Sequence, residues 1–215
     1  MKVGVIGANG NLGNRIVKQA IDQGIDVKAF VYMSECLDKR VVSIEKNIFD
    51  LTKDDIKDID VLISAFGGGF KVDPIINKNA FFKYIELLDN TDKKLVAIAG
   101  AGSLYTDNTH TIYEYQSDNH PEKLKEISKN IRLGVDELEK TNSFNWTVVC
   151  PSRRFDSKGG YTGEYIVGDK CEVIYNKDNQ SYVTYDDLAK AMLDIAKNNL
   201  YTQQVITIAS KKGGL

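Results

Sequence analysis

The chain opens with MKVGVIGANGNLG, residues 1–13, and this stretch decides the fold. The β-branched run Lys2–Ile6 predicts a buried strand, and the apolar spacing that follows predicts a helix over Leu12–Gln23. Three glycines lie in the turn between them. A strand, a glycine turn and a helix in this order place backbone N–H groups and the positive end of a helix dipole where a pyrophosphate can bind.

Each of the three glycines has a separate expected role. Gly7 permits the tight exit from the strand, Gly10 lets the backbone approach the phosphates, and Gly13 lets the helix pack closely on the sheet. The turn therefore predicts a dinucleotide site rather than a merely structural glycine turn. The expected contacts of the dinucleotide in this turn are Gly7, Asn9, Gly10, Asn11, Leu12 and Gly13.

Composition is that of one globular α/β domain, with 215 residues, 42% of them hydrophobic and 27% charged. The net charge of −2 gives no reason to expect nucleic acid or a membrane as partner, and the longest apolar runs are strand-sized. A strand that starts at residue 2 predicts no signal peptide and therefore a cytoplasmic protein. Cys36, Cys150 and Cys171 are widely spaced, so we expect reduced thiols and no metal site.

Short apolar runs alternate with helical spacing, which predicts an α/β, Rossmann-like doubly wound parallel sheet. The predicted strands are Lys2–Ile6, Val27–Tyr32, Val41–Glu45, Val61–Ser64, Leu95–Ala99, Trp146–Cys150 and Val205–Ala209. The predicted helices are Leu12–Gln23, a brief one near Asp54–Ile56, Ala80–Leu88, Pro121–Lys140 and Asp186–Asn198. Polar residues 77–79 and the pair Tyr185-Asp186 are interpreted as helix starts.

The stretch Pro151–Tyr182 is rich in Gly, Ser and Tyr and breaks the alternation. We interpret it as a small substrate-side lobe with short hairpin strands, within a single domain that spans residues 1–215. In a doubly wound sheet, ligands bind beyond the carboxyl ends of the strands. The loops expected to form the site therefore follow Ile6, Tyr32, Ser64, Ala99 and Cys150.

Two loops lie on the expected adenosine side. An acidic residue at the end of the second strand would bind the ribose, and an arginine would favour a 2′-phosphate. The chain has Tyr32 there, with Glu35 and Lys39–Arg40 further on, so the sequence leaves NAD and NADP both open. Tyr32 either packs against adenine or is simply exposed. Asp50 either accepts a hydrogen bond from adenine or caps a helix that begins at Thr52.

Small residues follow the fourth and fifth strands. Residues 64–70, SAFGGGF, either let a cofactor ribose lie on the backbone or form a mobile glycine loop. Residues 99–103, AGAGS, lie where nicotinamide and substrate would meet, and Ser103 is either a hydroxyl donor or a turn residue. The expected cofactor contacts in these loops and after the sixth strand are Ala65, Phe66, Gly67, Gly100, Ala101, Gly102, Cys150 and Pro151.

These segments together resemble the atypical short-chain dehydrogenase/reductase group. More narrowly, they are similar to bacterial NADH-flavin reductases and to NmrA-like and biliverdin-IXβ reductase-like proteins. The resemblance is carried by Gly7–Gly13, Ser64–Gly67, Gly100–Leu104, Trp146–Ser152, Tyr161–Tyr165 and Tyr182–Ala189, and covers nearly the whole chain. It implies an NAD(P)H cofactor along the first glycine turn and a substrate beneath the C-terminal lobe.

The chain departs from that group at two places. Relatives often carry an arginine where this chain has Tyr32. Active short-chain dehydrogenases also use a tyrosine on the long helix, with a lysine four residues later that lowers the pKa of the tyrosine. The corresponding region is Lys125–Arg132, which contains no tyrosine and places Lys125 or Ser128 at that position. Alcohol dehydrogenation, ketone reduction and epimerisation are therefore disfavoured.

Flavin reduction needs less from the protein, because hydride passes directly between stacked rings and a proton can come from water. An apolar, aromatic floor suits this reaction. The candidates for that floor are Phe66, Phe70, Phe155 and Trp146, the last expected more often in the core.

Three polar residues are candidates for a catalytic role. Arg154, or its neighbour Arg153, either clamps a phosphate or carboxylate such as that of FMN or faces solvent. His120 either donates a proton or lies on the surface. The candidate catalytic residues are thus Ser103, His120 and Arg154.

The sequence therefore predicts an NAD(P)H-dependent oxidoreductase that reduces flavin or quinone-like acceptors, with FMN or FAD as a substrate. The alternative from another class is a non-catalytic NmrA-like sensor that only binds the dinucleotide. An epimerase or dehydratase is the third hypothesis. We expect a monomer or homodimer whose partner is a small-molecule acceptor.

Overall fold

The computed structural model describes residues 1–32, 38–67, 69 and 72–213, and these ranges contain ten strands and four α-helices. The strands are β1 Lys2–Ile6, β2 Asp26–Val31, β3 Val42–Glu45, β4 Val61–Ser64, β5 Lys94–Ile98, β6 Asn145–Pro151, β7 Arg154–Asp156, β8 Tyr165–Gly168, β9 Tyr182–Thr184 and β10 Gln204–Ser210. The helices are α1 Asn11–Asp22, α2 Ile75–Leu88, α3 Glu122–Leu138 and α4 Tyr185–Asn198.

Eight strands form one sheet in the order β3-β2-β1-β4-β5-β6-β10-β8, and only β8 runs antiparallel to its neighbour. Helices α1 and α4 cover one face and α2 and α3 cover the other, with a hydrophobic cluster on each side. Successive residues of β1 serve opposite clusters, Val5 on the α1 face and Ile6 on the α2 face. The predicted Rossmann-like doubly wound sheet is confirmed, with its topological switch between β1 and β4.

All four helix starts differ from the prediction, those of α1, α3 and α4 by one residue and that of α2 by five. Helix α2 begins at Ile75, because the Asp73 carboxylate accepts a hydrogen bond from the Ile75 N–H at 3.0 Å; the predicted start at Ala80 is wrong. Helix α4 begins at Tyr185, and its cap is Thr184, whose hydroxyl accepts from the Asp187 N–H at 3.0 Å. In both cases a side chain just before the helix satisfies its first N–H groups.

The brief helix predicted near Asp54–Ile56 is wrong. A 3₁₀ turn over Ile48–Asp50 is followed by successive turns at residues 53–58. The Asp55 carboxylate accepts hydrogen bonds from the Thr52 N–H and hydroxyl, each at 2.8 Å, and from Lys46 at 2.7 Å. These local hydrogen bonds satisfy polar groups of this segment without a helix.

The hairpin predicted within Pro151–Tyr182 is also wrong. Strands β7 and β9 pair in parallel, and β8 extends the edge of the main sheet beside β10. The buried Asp187 carboxylate fastens this region, because it accepts from the Thr162 N–H at 2.9 Å, the Gly163 N–H at 3.0 Å and the Ser210 hydroxyl at 2.6 Å. Trp146 lies in the core at 3% exposure, as expected. No helix within the described ranges is long and apolar enough to cross a bilayer.

Candidate functional site

The turn between β1 and α1 leaves the helix N-terminus open to a ligand. Gly7 has φ +72° and donates its N–H to Phe30 O at 3.1 Å, while the Gly10 N–H returns to Gly7 O at 2.9 Å. Helix α1 begins at Asn11, no side chain of the described residues caps it, and its first turn holds no acidic residue. Its first N–H groups and the positive end of the helix dipole are therefore available to a pyrophosphate.

The glycines of this turn divide into packing and open positions. A Cβ on Gly13 would lie 2.0 Å from Gly7 O and 2.9 Å from Ala8 Cα, so only glycine lets α1 approach the turn. A Cβ on Gly10 would meet only Gly7 O, at 3.2 Å. The space outside Gly10 is therefore free for a ligand, and the residues present fit a dinucleotide phosphate group.

A first cavity, of about 360 Å³, lies beside the ends of β2 and β3. We call it the β2-side cavity. Phe49 and Phe66 meet edge to face in its wall, with ring centroids 6.3 Å apart, and Tyr32 and Lys46 also line it. Predicted contacts that line this cavity are Gly7, Asn9, Tyr32, Phe66 and Gly67. A mostly apolar cavity of this size suits an adenine ring.

Asp50 does not line the β2-side cavity, although its neighbours Phe49 and Leu51 do. It is exposed at the end of the 3₁₀ turn, and since no helix begins at Thr52 it caps none there. This corrects the expected capping role, because residues 53–58 form successive turns rather than a helix.

The basic residues after β2 lie away from the lining of this cavity. Arg40 donates to both carboxylate oxygens of Asp38, at 2.9 and 2.6 Å, and these hydrogen bonds lower the pKa of Asp38 to about 2. Three residues named in the sequence analysis lie outside the described residues: Glu35, Cys36 and Phe70.

A second cavity, the central cavity of about 310 Å³, extends from Gly10, Asn11 and Leu12 past Ala65 to Ala99. It shares Phe66 and Gly67 with the β2-side cavity. It shares Ala99, Ile131 and Phe155 with a third cavity of about 460 Å³, the β5-side cavity. The three cavities thus form one row along the carboxyl ends of the strands, as an extended dinucleotide requires.

The β5-side cavity is lined by Gly100, Ala101 and Gly102 after β5, by one side of α3, and by Pro151 and Arg153 after β6. The Arg153 guanidinium donates to both oxygens of Glu114, at 2.8 and 2.7 Å, and to the Tyr175 hydroxyl at 2.8 Å. Glu114 is only 4% exposed, so this ion pair forms part of the cavity wall.

His120 and Ser128 lie together in the same wall. The Nε2 atom of His120 is 3.0 Å from the Ser128 hydroxyl oxygen, and both residues are buried. Burial lowers the pKa of His120; the charge of Glu114 opposes this shift and that of Lys125 adds to it. The imidazole is therefore neutral at neutral pH.

The other two candidate catalytic residues lie elsewhere. Ser103 is completely buried, because the 3₁₀ turn at Ala101–Ser103 carries it into the core and away from the linings of the three cavities. Arg154 is 57% exposed and lies over the Tyr182 ring, 5.0 Å from its centroid. Adjacent residues in an extended chain face opposite sides, so Arg153 rather than Arg154 reaches the cavity.

Cys150 likewise does not line the cavities. It is fully buried in β6, and burial raises the pKa of its thiol. The neighbouring Pro151 lines the β5-side cavity.

Sequence reasoning missed several residues of this cavity, among them Glu114, Ser128 and Ile131. Glu114 and Ile131 carried no motif, and Ser128 was noted only because it falls near the tyrosine position of the related dehydrogenases. A signal existed for Ile131 alone, as an apolar residue on the predicted helix face. The pairings of Glu114 and Ser128 depend on tertiary contacts.

The chain matches the NAD(P)H-binding family model over residues 7–199. It is 32% identical to the protein YwnB of Bacillus subtilis (strain 168), over 98% of this chain and 99% of that protein. It is also 32% identical to SP1627 of Streptococcus pneumoniae TIGR4, described as "a putative NADH-flavin reductase", with a TM-score of 0.92, and the match covers 98% of this chain and 100% of SP1627.

A more distant structure shares the fold. ChuY of Escherichia coli O157:H7, an anaerobilin reductase, is 15% identical with a TM-score of 0.72, and the match covers 100% of each chain. The family model and the 32% identity to SP1627 show that the chain belongs to the NAD(P)H-binding family of Rossmann-like oxidoreductases. It binds a nicotinamide dinucleotide, as the open α1 N-terminus and the row of cavities independently indicate.

Proposed function

We propose that this protein is an NAD(P)H-dependent reductase of flat, conjugated acceptors such as flavins or quinones. The observation that carries the proposal is the continuity of the central and β5-side cavities through Ala99, Ile131 and Phe155. A dinucleotide held at α1 would extend its nicotinamide toward these residues. The 32% identity to SP1627, an NADH-flavin reductase by its description, supports the same class of acceptor.

The residues of the site bind and orient rather than exchange protons with a secondary alcohol. The α1 N-terminus binds the diphosphate, and Gly10 keeps the approach to it open. Ile131 and Phe155 flank the junction of the two cavities, where they would hold two rings face to face and exclude water. When bound, the reduced nicotinamide supplies a hydride, so the hard chemistry belongs to the cofactor.

The tyrosines before α3 do not replace the missing tyrosine of the dehydrogenases. The Tyr113 hydroxyl is 2.9 Å from that of Tyr105, and burial, followed by this hydrogen bond, raises the pKa of Tyr113. A dehydrogenase tyrosine needs the opposite shift. This disfavours epimerase or dehydratase chemistry at this site.

The test is NAD(P)H oxidation by the purified protein, followed at the nicotinamide absorbance under anaerobic conditions. Riboflavin, FMN and menadione are offered as acceptors, with NADH and NADPH in parallel. The variant Gly10→Asp, which places a carboxylate against the diphosphate, should abolish both binding and turnover. Cofactor binding without reduction of any acceptor would contradict the proposal and favour the sensor alternative.

A further inference from the structure

The β5-side cavity has a charge balance that restricts what it can accept. Among the described residues that line it, Glu114 and Arg153 carry the charges, and they neutralise each other through two hydrogen bonds. A third hydrogen bond, from Arg153 Nη1 to the Tyr175 hydroxyl at 2.8 Å, helps to hold the guanidinium in this ion pair. Apolar side chains such as Leu124, Ile127 and Ile131 make up much of the remaining wall. A ligand in this cavity gains nothing from a negative charge.

The polar groups in the wall outside this ion pair include the hydroxyl of Ser128 and the imidazole of His120. The loop after β5 is built around them. A Cβ on Gly102 would lie 2.5 Å from Ser128 Cβ, 2.6 Å from Ser128 Oγ and 3.2 Å from His120 Cε1. The His120–Ser128 pair occupies the space that a side chain at position 102 would need, so this position requires glycine.

We propose that Ser128, oriented by His120, donates a hydrogen bond to a carbonyl oxygen of an uncharged, flat acceptor in the β5-side cavity. This inference rests on the proposed function and names the substrate class of the same site: neutral quinone-like carbonyl compounds. Ser128 is then a catalytic residue that touches the acceptor, and His120 is a positioning residue.

The chemistry follows from the state of the imidazole. A neutral imidazole has a single N–H, and when Nε2 carries it, His120 donates to the Ser128 oxygen and the serine hydrogen is free to point into the cavity. The reduced nicotinamide transfers a hydride, which is one hydrogen with two electrons, to the acceptor. The nicotinamide is thereby oxidised. Negative charge then develops on the carbonyl oxygen, the Ser128 hydrogen bond strengthens, and a proton from water completes the reduced product.

The first test compares Ser128→Ala with the wild type, using menadione as the acceptor. Loss of a donor to a developing oxyanion should lower kcat by at least about tenfold, with a smaller change in KM and in the Kd of NADPH. The matched control is Ser117→Ala, since the Ser117 hydroxyl is also buried but has no hydrogen-bond partner among the described residues. Its kcat should equal that of the wild type.

The second test separates positioning by His120 from a purely structural role. His120→Ala should reduce kcat as Ser128→Ala does, whereas His120→Gln, whose amide can still donate to the Ser128 oxygen, should recover part of it. Wild-type kcat/KM should also be at least about tenfold lower for a sulfonated naphthoquinone than for menadione, because the described lining of the cavity offers no unpaired cation.

The outcomes separate the two proposals. If the wild-type protein oxidises NAD(P)H with none of the acceptors offered, the proposed function itself is overturned. An active wild type whose Ser128→Ala variant keeps full kcat would overturn only the role of Ser128. Equal turnover of the sulfonated and neutral quinones would overturn the assignment to uncharged acceptors.

Discussion

Gly10 and Gly13 lie in one turn, yet the geometry predicts opposite effects when each is replaced. In Gly13→Ala the new Cβ would meet Gly7 O at 2.0 Å and Ala8 Cα at 2.9 Å. Both are backbone atoms, so no flexible side chain can move aside. We expect about 3 kcal/mol of strain from overpacking, partly offset by about 1 kcal/mol from the higher helix propensity of alanine.

Gly10→Asp should have the reverse signature. Gly10 holds the N-cap position of α1, where aspartate is a favoured residue and its charge interacts well with the helix dipole. Stability should therefore stay unchanged or rise by about 0.3–1 kcal/mol, mainly from the interaction of the charge with the helix dipole. Binding of NAD(P)H should be lost, because the carboxylate occupies and repels the diphosphate position.

Thermal unfolding and fluorescence titration of NAD(P)H together test this pair. A net loss of about 2 kcal/mol in Gly13→Ala corresponds to a fall in Tm of about 4–8 °C for a chain of this size. Gly10→Asp should melt at or above the wild-type temperature and show no fluorescence enhancement. The reasoning fails if Gly13→Ala melts with the wild type, or if Gly10→Asp melts as low as Gly13→Ala.

Three further predictions follow from packing and charge. Gly102→Ala should lower the free energy of unfolding in urea by about 1–3 kcal/mol, because its Cβ would lie 2.5 Å from Ser128 Cβ. Gly100→Ala, whose nearest contact would be 3.7 Å away, should leave the free energy of unfolding unchanged. Equal losses of stability in the two variants would refute this distinction between Gly100 and Gly102. Asp187→Asn should cost about 2–3 kcal/mol and speed proteolysis near residues 157–165, since the carboxylate accepts four hydrogen bonds; an unchanged cleavage pattern would count against this anchoring role. Burial lowers the pKa of Lys94 from 10.5 to about 8, so the unfolded chain binds more protons than the folded one between these values. Stability should rise with pH across this window by about 3 kcal/mol more in the wild type than in Lys94→Met, as pH-dependent urea unfolding would show; parallel curves would contradict the shift.

Much of the fold could be predicted because its determinants are local. The strand Lys2–Ile6 and the buried runs of β4 and β5 follow from continuous apolar stretches, and α1 follows from its helical spacing. Errors arose where a single side chain decides a boundary, as Asp73 does for α2. The pairing of β7 with β9 could not be predicted, because it joins short segments across a long irregular loop.

The cofactor side of the site was more predictable than the acceptor side for a similar reason. In a parallel sheet the loops after the strands must meet at one edge, so Gly10, Ala65 and Gly100 could be assigned to one site before any contact was known. The Glu114–Arg153 pair spans 39 residues and the His120–Ser128 pair spans eight across a helix start. Neither spacing has a periodic signature, and only the folded chain brings the partners together.

The choice between Arg153 and Arg154 shows how such a contact changes the functional argument. The sequence placed two arginines past β6, and a phosphate clamp at Arg154 would predict that FMN is preferred to riboflavin. The structure points Arg154 outward and neutralises Arg153 with Glu114, so neither arginine offers a phosphate a partner. The FMN phosphate is at the end of the ribityl tail and can stay outside the cavity, unlike a sulfonate on a naphthoquinone ring, so the isoalloxazine ring alone should determine turnover. We expect kcat/KM for riboflavin and FMN to agree within about twofold, and Arg154→Ala to change neither, because an exposed arginine contributes little to binding. A strong preference for FMN that Arg154→Ala abolishes would restore the clamp and contradict the neutral cavity.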